Sequence, residues 1–130
     1  MIYSIVVLGA PYSSASAITA LNFTKSLLKS GHSIFRVFFY HDGVHCANEL
    51  STPPQDEINL PQQWHTLNQQ HNLDLVVCIA AGVKRGILDQ SETNRHEKNC
   101  SNMNTAFELS GLGQLVEATE QSDRVITFGP

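Results

Sequence analysis

The stretch that most constrains this chain is Ile2–Leu8, an apolar run rich in β-branched residues and ended by Gly9-Ala-Pro11. It reads as a strand covered on both faces, the usual situation in a parallel sheet. A parallel partner requires a crossover, and the sequence supplies one. Ile18, Leu21, Leu27 and Leu28 recur near the helical period, predicting a helix over Ser14–Ser30 that Gly31 stops. Ser33–Tyr40 then reads as a second strand. Strand, helix, strand with a right-handed crossover is the default arrangement.

The same logic extends along the chain. His41-Asp42-Gly43 reads as a turn, and Val44–Leu50 as a short helix. Residues 51–61 contain three prolines and read as a surface loop. Leu60–Gln70 can form a helix around Trp64 and Leu67. Asp74–Ala81 reads as a third buried strand and Lys84–Asp89 as a loop or single turn. Ser91–Asn102, polar throughout, is expected to be exposed. Asn102–Leu109 and Gly111–Glu120 read either as one interrupted helix or as a short strand followed by a helix. Arg124–Phe128 is a last strand. The expected fold class is α/β, a three-layer sandwich around a mainly parallel β-sheet, formed by residues 1–130 as a single domain.

Charge and cysteine content narrow the function. The 130 residues carry a formal net charge of -4, which argues against strong direct binding to a nucleic-acid backbone. No run is long enough for a membrane span or a secretory core, which implies a cytoplasmic protein. The cysteines are Cys46, Cys78 and Cys100, with no CxxC pair. A sparse, odd count in a reducing compartment implies free thiols rather than a disulfide framework.

Reactive groups on open parallel sheets gather beyond the carboxyl ends of the strands. The loops Gly9–Ser16, His41–Asn48 and Cys78–Gly86 meet that condition. Cys78 lies in Leu75-Val-Val-Cys-Ile-Ala-Ala-Gly82, followed by Lys84 and Arg85. Small residues there would let another chain approach. Two cations, or the N–H groups of a helix start, would favour a thiolate or persulfide anion. The reading requires a reachable, ionisable thiol at the sheet rim. The alternative is that Cys78 is a small buried hydrophobe in a strand.

Three segments together carry a family resemblance. Leu75–Ala81 leading into Gly82-Val-Lys-Arg-Gly86 resembles the active-cysteine segment of the TusD/DsrE sulfurtransferases. Phe38-Phe-Tyr-His-Asp-Gly-Val-His-Cys-Ala-Asn48 resembles the family's second strand and turn. Phe107–Ala118 with Ser122–Phe128 resembles its C-terminal helix and strand. The resemblance runs in order through nearly the whole chain. It implies a DsrE-like fold and Cys78 as the persulfide cysteine, with no cofactor. The partners it implies are TusB-like and TusC-like subunits in a heterohexamer, a TusA-like sulfur donor and a TusE-like acceptor. The implied pathway is 2-thiolation of the tRNA wobble uridine. DsrE proteins of sulfur oxidation share the fold and the cysteine. Cys46 is not expected family-wide, and Ser91–Cys100 matches no family motif but could shape the entrance to Cys78.

Other constellations are weaker. His41 with His45 and Cys46, and His96 with Cys100, have ligand-like spacing, but no third ligand is evident and no metal is expected. Gly9–Ser16 could cradle a phosphate in a flavin- or nucleotide-binding module, yet it lacks GxGxxG and a Walker lysine. A helix cap from Ser13 or Ser14 is the simpler reading. Trp64, Phe38, Phe39 and Phe107 read as core or interface. Asp56 and Glu57 read as a solvated loop pair. A purely structural subunit without chemistry is a further alternative.

Overall fold

The computed structural model describes residues 1–130. The apolar runs become β1 (Ile2–Val7), β2 (Ser33–Phe39), β3 (Leu75–Cys78) and β5 (Arg124–Phe128). The segment with two readings resolves to a strand, β4 (Phe107–Ser110), and a helix, α5 (Gly113–Gln121). All pairings are parallel and the five strands run β4-β3-β2-β1-β5. The anticipated sheet thus gains a strand at one edge.

The crossover helices are α1 (Ser16–Lys29) and α2 (Leu60–His71). α2 begins where Asn59 accepts a hydrogen bond from the Gln62 N–H at 3.2 Å, and ends at Asn72 in the left-handed conformation, φ 53°. Alternation along β2 separates the two faces of the sheet. Phe39 meets Trp64 of α2 edge-on at 5.3 Å and Phe107 of β4 at 5.2 Å. Arg36, on the other face, donates to the Gln114 carbonyl (2.8 Å) and to Glu117 (2.9 Å) of α5. The sheet lies between α1 and α2 on one side and α5 on the other, the three-layer sandwich expected.

The structure adds to or departs from the expected elements in three places. The third strand does not reach Ala81: it stops at Cys78 and turns at once into α3 (Ile79–Lys84). A β-carbon on Gly82 would lie 3.2 Å from Val77 Cγ1 and 3.4 Å from Leu109 Cδ2, so its small size lets α3 fold back on the strand ends. The polar run 91–102 is largely exposed, as expected, but Glu92 and Thr93 are buried and the run contains structure. Asp89 accepts from the Glu92 N–H at 2.8 Å and starts α4 (Gln90–Arg95). Asn102 then bonds the Leu88 N–H (2.8 Å) and the Gly86 carbonyl (2.9 Å). Backbone groups here are satisfied by polar side chains rather than by a sheet ladder. The turn after β2 is a 3-10 segment, His41–Ala47, beginning earlier than the expected Val44. No helix is long and apolar enough to cross a membrane.

Candidate functional site

Cys78 ends β3 and immediately precedes the first turn of α3. By register it pairs with Ser110 at the end of β4. Alternation with Val77, which pairs with Phe39, puts it on the face of the sheet that carries Phe38 and α5. Its position beyond the carboxyl end of a parallel strand is the one anticipated. Its accessibility is not: Cys78 is only 2% exposed and belongs to the hydrophobic core cluster. The next two residues in the chain come to the surface, Ile79 half-buried and Ala80 exposed. The small residues do not form an open approach either. Ala81 and Gly82 are buried against the sheet, and only Ala80 faces out. The physical cause is the early strand end, which rolls residues 79–84 into a helix whose inner face seals the rim.

Lys84 and Arg85 follow Cys78 at the far end of the next helix. They close α3, six and seven residues on, about 9–10 Å along a helix axis. Arg85 is engaged elsewhere. It donates to Asp42 of the 3-10 segment at 2.9 Å and to the Ala81 carbonyl at 3.1 Å. The hydrogen bond from Arg85 holds the Asp42 carboxyl below the usual carboxylate range. This ion pair ties the 3-10 segment after β2 to the helix after β3, across 43 residues of sequence. Lys84 is exposed and forms no ion pair.

Gly43 makes this packing possible. Its N–H donates to the Tyr40 carbonyl at 2.9 Å, and a β-carbon there would collide with the Val7 carbonyl. The ends of β1 and of the 3-10 segment therefore touch through backbone alone. Next to it, the Tyr40 and His41 rings stack at 4.4 Å.

Beside Cys78 lies an open cleft of about 390 Å³ between α3 and α4. Ile79, Ala80 and Val83 contribute apolar surface, and Lys84, Arg95, His96 and Glu92 line its polar side. Glu92 is buried, with Arg95 at 3.7 Å and His96 at 3.5 Å. The run 91–100 thus shares this cleft, through Glu92, Arg95 and His96, with Ile79 and Ala80, the two residues after Cys78.

The other constellations are separated. Cys46 is fully buried, and burial pushes its thiol up to about 12, so it is neither ligand nor nucleophile near neutral pH. His41 is exposed and Cys100 is exposed, and no three His, Cys, Asp or Glu side chains converge. In the Gly9–Ser16 loop, the Ser14 and Ser16 hydroxyls bond each other at 2.9 Å, and Ser14 Oγ accepts from the Ser16 N–H at 3.1 Å. A cleft of about 340 Å³ beside it is lined by Tyr12, Ile18, Ile58 and Leu60, with Glu57 adding a carboxylate. Internally satisfied hydroxyls and a nearby negative charge suit a phosphate poorly.

The comparisons with known proteins agree with this architecture. The model of the DsrE/DsrF-like family matches residues 1–128. DsrE of Allochromatium vinosum is 49% identical over 119 residues, covering 92% of each chain. Sulfurtransferase TusD of Sodalis glossinidius is 45% identical over 126 residues and 97% of each chain. Sulfurtransferase TusD of Salmonella typhi is 44% identical over 128 residues, covering 98% of this chain and 100% of its own. The crystal structure of the ychN protein from E. coli superposes with a TM-score of 0.77 at 24% identity, covering 98% of this chain and 100% of that one, which is a likeness of fold. With its parallel five-stranded sheet and near-complete similarity to these proteins, the chain belongs to the DsrE/DsrF-like family.

Proposed function

We propose that this protein transfers sulfur, carrying it as a persulfide on Cys78. The observation that carries the reading is near-full-length similarity, at 44–45% identity, to proteins named sulfurtransferases. Cys78 supports it by position, at a strand end where a helix begins. The first N–H groups of a helix lack intrahelical partners and favour an adjacent anion. Cys46, by contrast, is buried and hard to ionise.

The exchange balances without an outside oxidant or reductant. The Cys78 thiolate attacks the outer sulfur of a donor persulfide. The Cys78–sulfur bond forms, the donor sulfur–sulfur bond breaks, and the donor leaves as a thiolate. An acceptor thiolate then attacks the outer sulfur on Cys78 and releases the Cys78 thiolate. No metal or organic cofactor takes part. Because Cys78 is 2% exposed, each exchange requires the start of α3 or the neighbouring 3-10 segment to shift.

The finer assignment follows the TusD likeness. A TusA-like protein is the donor and a TusE-like protein the acceptor. TusB-like and TusC-like chains complete a cytoplasmic heterohexamer, and the sulfur goes to 2-thiouridine at the tRNA wobble position. The second reading, sulfur trafficking in sulfur oxidation, draws on the 49% identity to DsrE of Allochromatium vinosum. Restoration of tRNA thiolation in a bacterium lacking TusD is expected on the first reading, and its failure would favour the second.

The direct test is mass spectrometry after incubation with a persulfide donor. One added sulfur atom mapped to Cys78, lost in Cys78→Ser and kept in Cys46→Ser and Cys100→Ser, is the expected result. Sulfur retained by Cys78→Ser would overturn the assignment.

A further inference from the structure

The cleft between α3 and α4 suits a particular kind of partner. Ile79, Ala80 and Val83 offer apolar surface directly after Cys78 in the chain. Lys84 is exposed without an ion-pair partner, and the Arg95 side chain is 70% exposed. His96 adds a third nitrogen-bearing group. The acid in the lining, Glu92, is turned inward, its side chain 10% exposed beneath Arg95 and His96. Its charge is largely withdrawn from the mouth of the cleft, while those of Lys84 and Arg95 are not. On a chain of formal net charge -4, this is a cationic rim in an acidic surface.

We infer that this cleft is a docking surface for an acidic, cysteine-bearing segment of the protein that exchanges sulfur with Cys78. The inference rests on the sulfur-carrier reading of Cys78 and names the partner chemistry. An extended segment can lay small apolar groups over Ile79, Ala80 and Val83 while its carboxylates meet Lys84 and Arg95. Complementary charge of this kind acts mainly on encounter rate and partner choice, and salt weakens it. The same rim disfavours a basic segment. Arg85 takes no part, because it is turned to Asp42 of the 3-10 segment and does not line the cleft.

Two synthetic peptides test the inference, each carrying one cysteine persulfide, one flanked by Asp and Glu and the other by Lys. The persulfide of N-acetylcysteine methyl ester serves as an uncharged donor. Sulfur appearing on Cys78 is followed by mass spectrometry. At low salt the acidic peptide should load the full-length protein about ten times faster than the basic one, a ratio that two favourable exposed contacts can supply. The ratio should approach one in high salt, and fall several-fold in Lys84→Glu and further in Lys84→Glu/Arg95→Gln. Equal rates with both peptides, or a ratio unmoved by Lys84→Glu, would overturn the inference while loading from the uncharged donor leaves the carrier reading standing. Absence of loading from all three donors would sink the carrier reading, and this inference with it.

Discussion

The three cysteines are chemically distinct because their surroundings differ. Cys100 is exposed, Cys78 is buried at a strand end, and Cys46 is enclosed. At pH 8 iodoacetamide should modify Cys100 first and leave Cys46 untouched in the folded protein. Rapid labelling of Cys46 in native protein would contradict its burial. Cys46 also sets a limit in alkali. Its thiol ionises near 9.0 when unfolded but only at about 12 in the fold. The unfolded chain therefore loses that proton first, so stability is intact below pH 9.0 and declines as pH rises toward 12. Cys46→Ala should flatten that decline in urea titrations. At Gly43 the space admits no side chain. Gly43→Ala forces a methyl group into the Val7 carbonyl and should cost about 2 kcal/mol, read as a lower Tm. An unchanged Tm would mean the backbone yields there.

Two arginines, Arg36 and Arg85, join elements that are far apart in sequence. Arg36 on β2 is buried and reaches Asp74, just before β3, at 2.7 Å and Glu117 of α5 at 2.9 Å. Burial works against its charge, but the hydrogen bonds it donates to Asp74 and Glu117, with their charges, outweigh that, and its pKa is raised overall. Removing one partner is therefore worse than removing the cation. Asp74→Ala leaves a buried guanidinium short of an acceptor and should cost about 2 kcal/mol, whereas Arg36→Met leaves carboxylates that water can reach and should cost less. The reverse order in chemical denaturation would contradict this account. The pair of Asp42 with Arg85 acts as a latch between the 3-10 segment and α3. The lowered Asp42 pKa means its contribution is full above pH 3.8 and is lost as pH falls through the lower folded value, so the latch holds at neutral pH. Asp42→Asn should speed alkylation of Cys78 several-fold and leave Cys100 unaffected. Equal Cys78 rates in both proteins would show that the latch does not govern access.

At the level of the whole molecule, the chain adds strands in one direction from β1 through β2 and β3 to β4, then returns across the sheet through α5 to place β5 beside β1. The last twenty residues thus cover one face and close one edge. Without them β1, with Ile5 and Val7 now fully buried, becomes an edge strand beside an uncovered face. A chain ending at Ser110 should lose its cooperative thermal transition and aggregate, as seen by calorimetry and light scattering. A sharp transition within a few degrees of the full chain would show that the C-terminal segment is an addition rather than part of the fold.

Much of this architecture is local information. The β-branched runs, the helical spacing of Ile18, Leu21 and Leu28, and the glycine stop at 31 encode elements through contacts a few residues apart, so the parallel α/β layout and the rim position of Cys78 are legible without coordinates. β4 and α5 were legible only as alternatives, since Phe107–Ser110 is too short for periodicity to separate strand from helix. The burial of Cys78, the early end of β3 and the engagement of Arg85 by Asp42 were decided by tertiary structure. Each depends on which segments meet at the sheet rim, as when Gly82 fits against Val77 and Leu109 or Asp42 finds Arg85 across the α2 crossover. Such contacts arise from topology, and no spacing along a single chain records them.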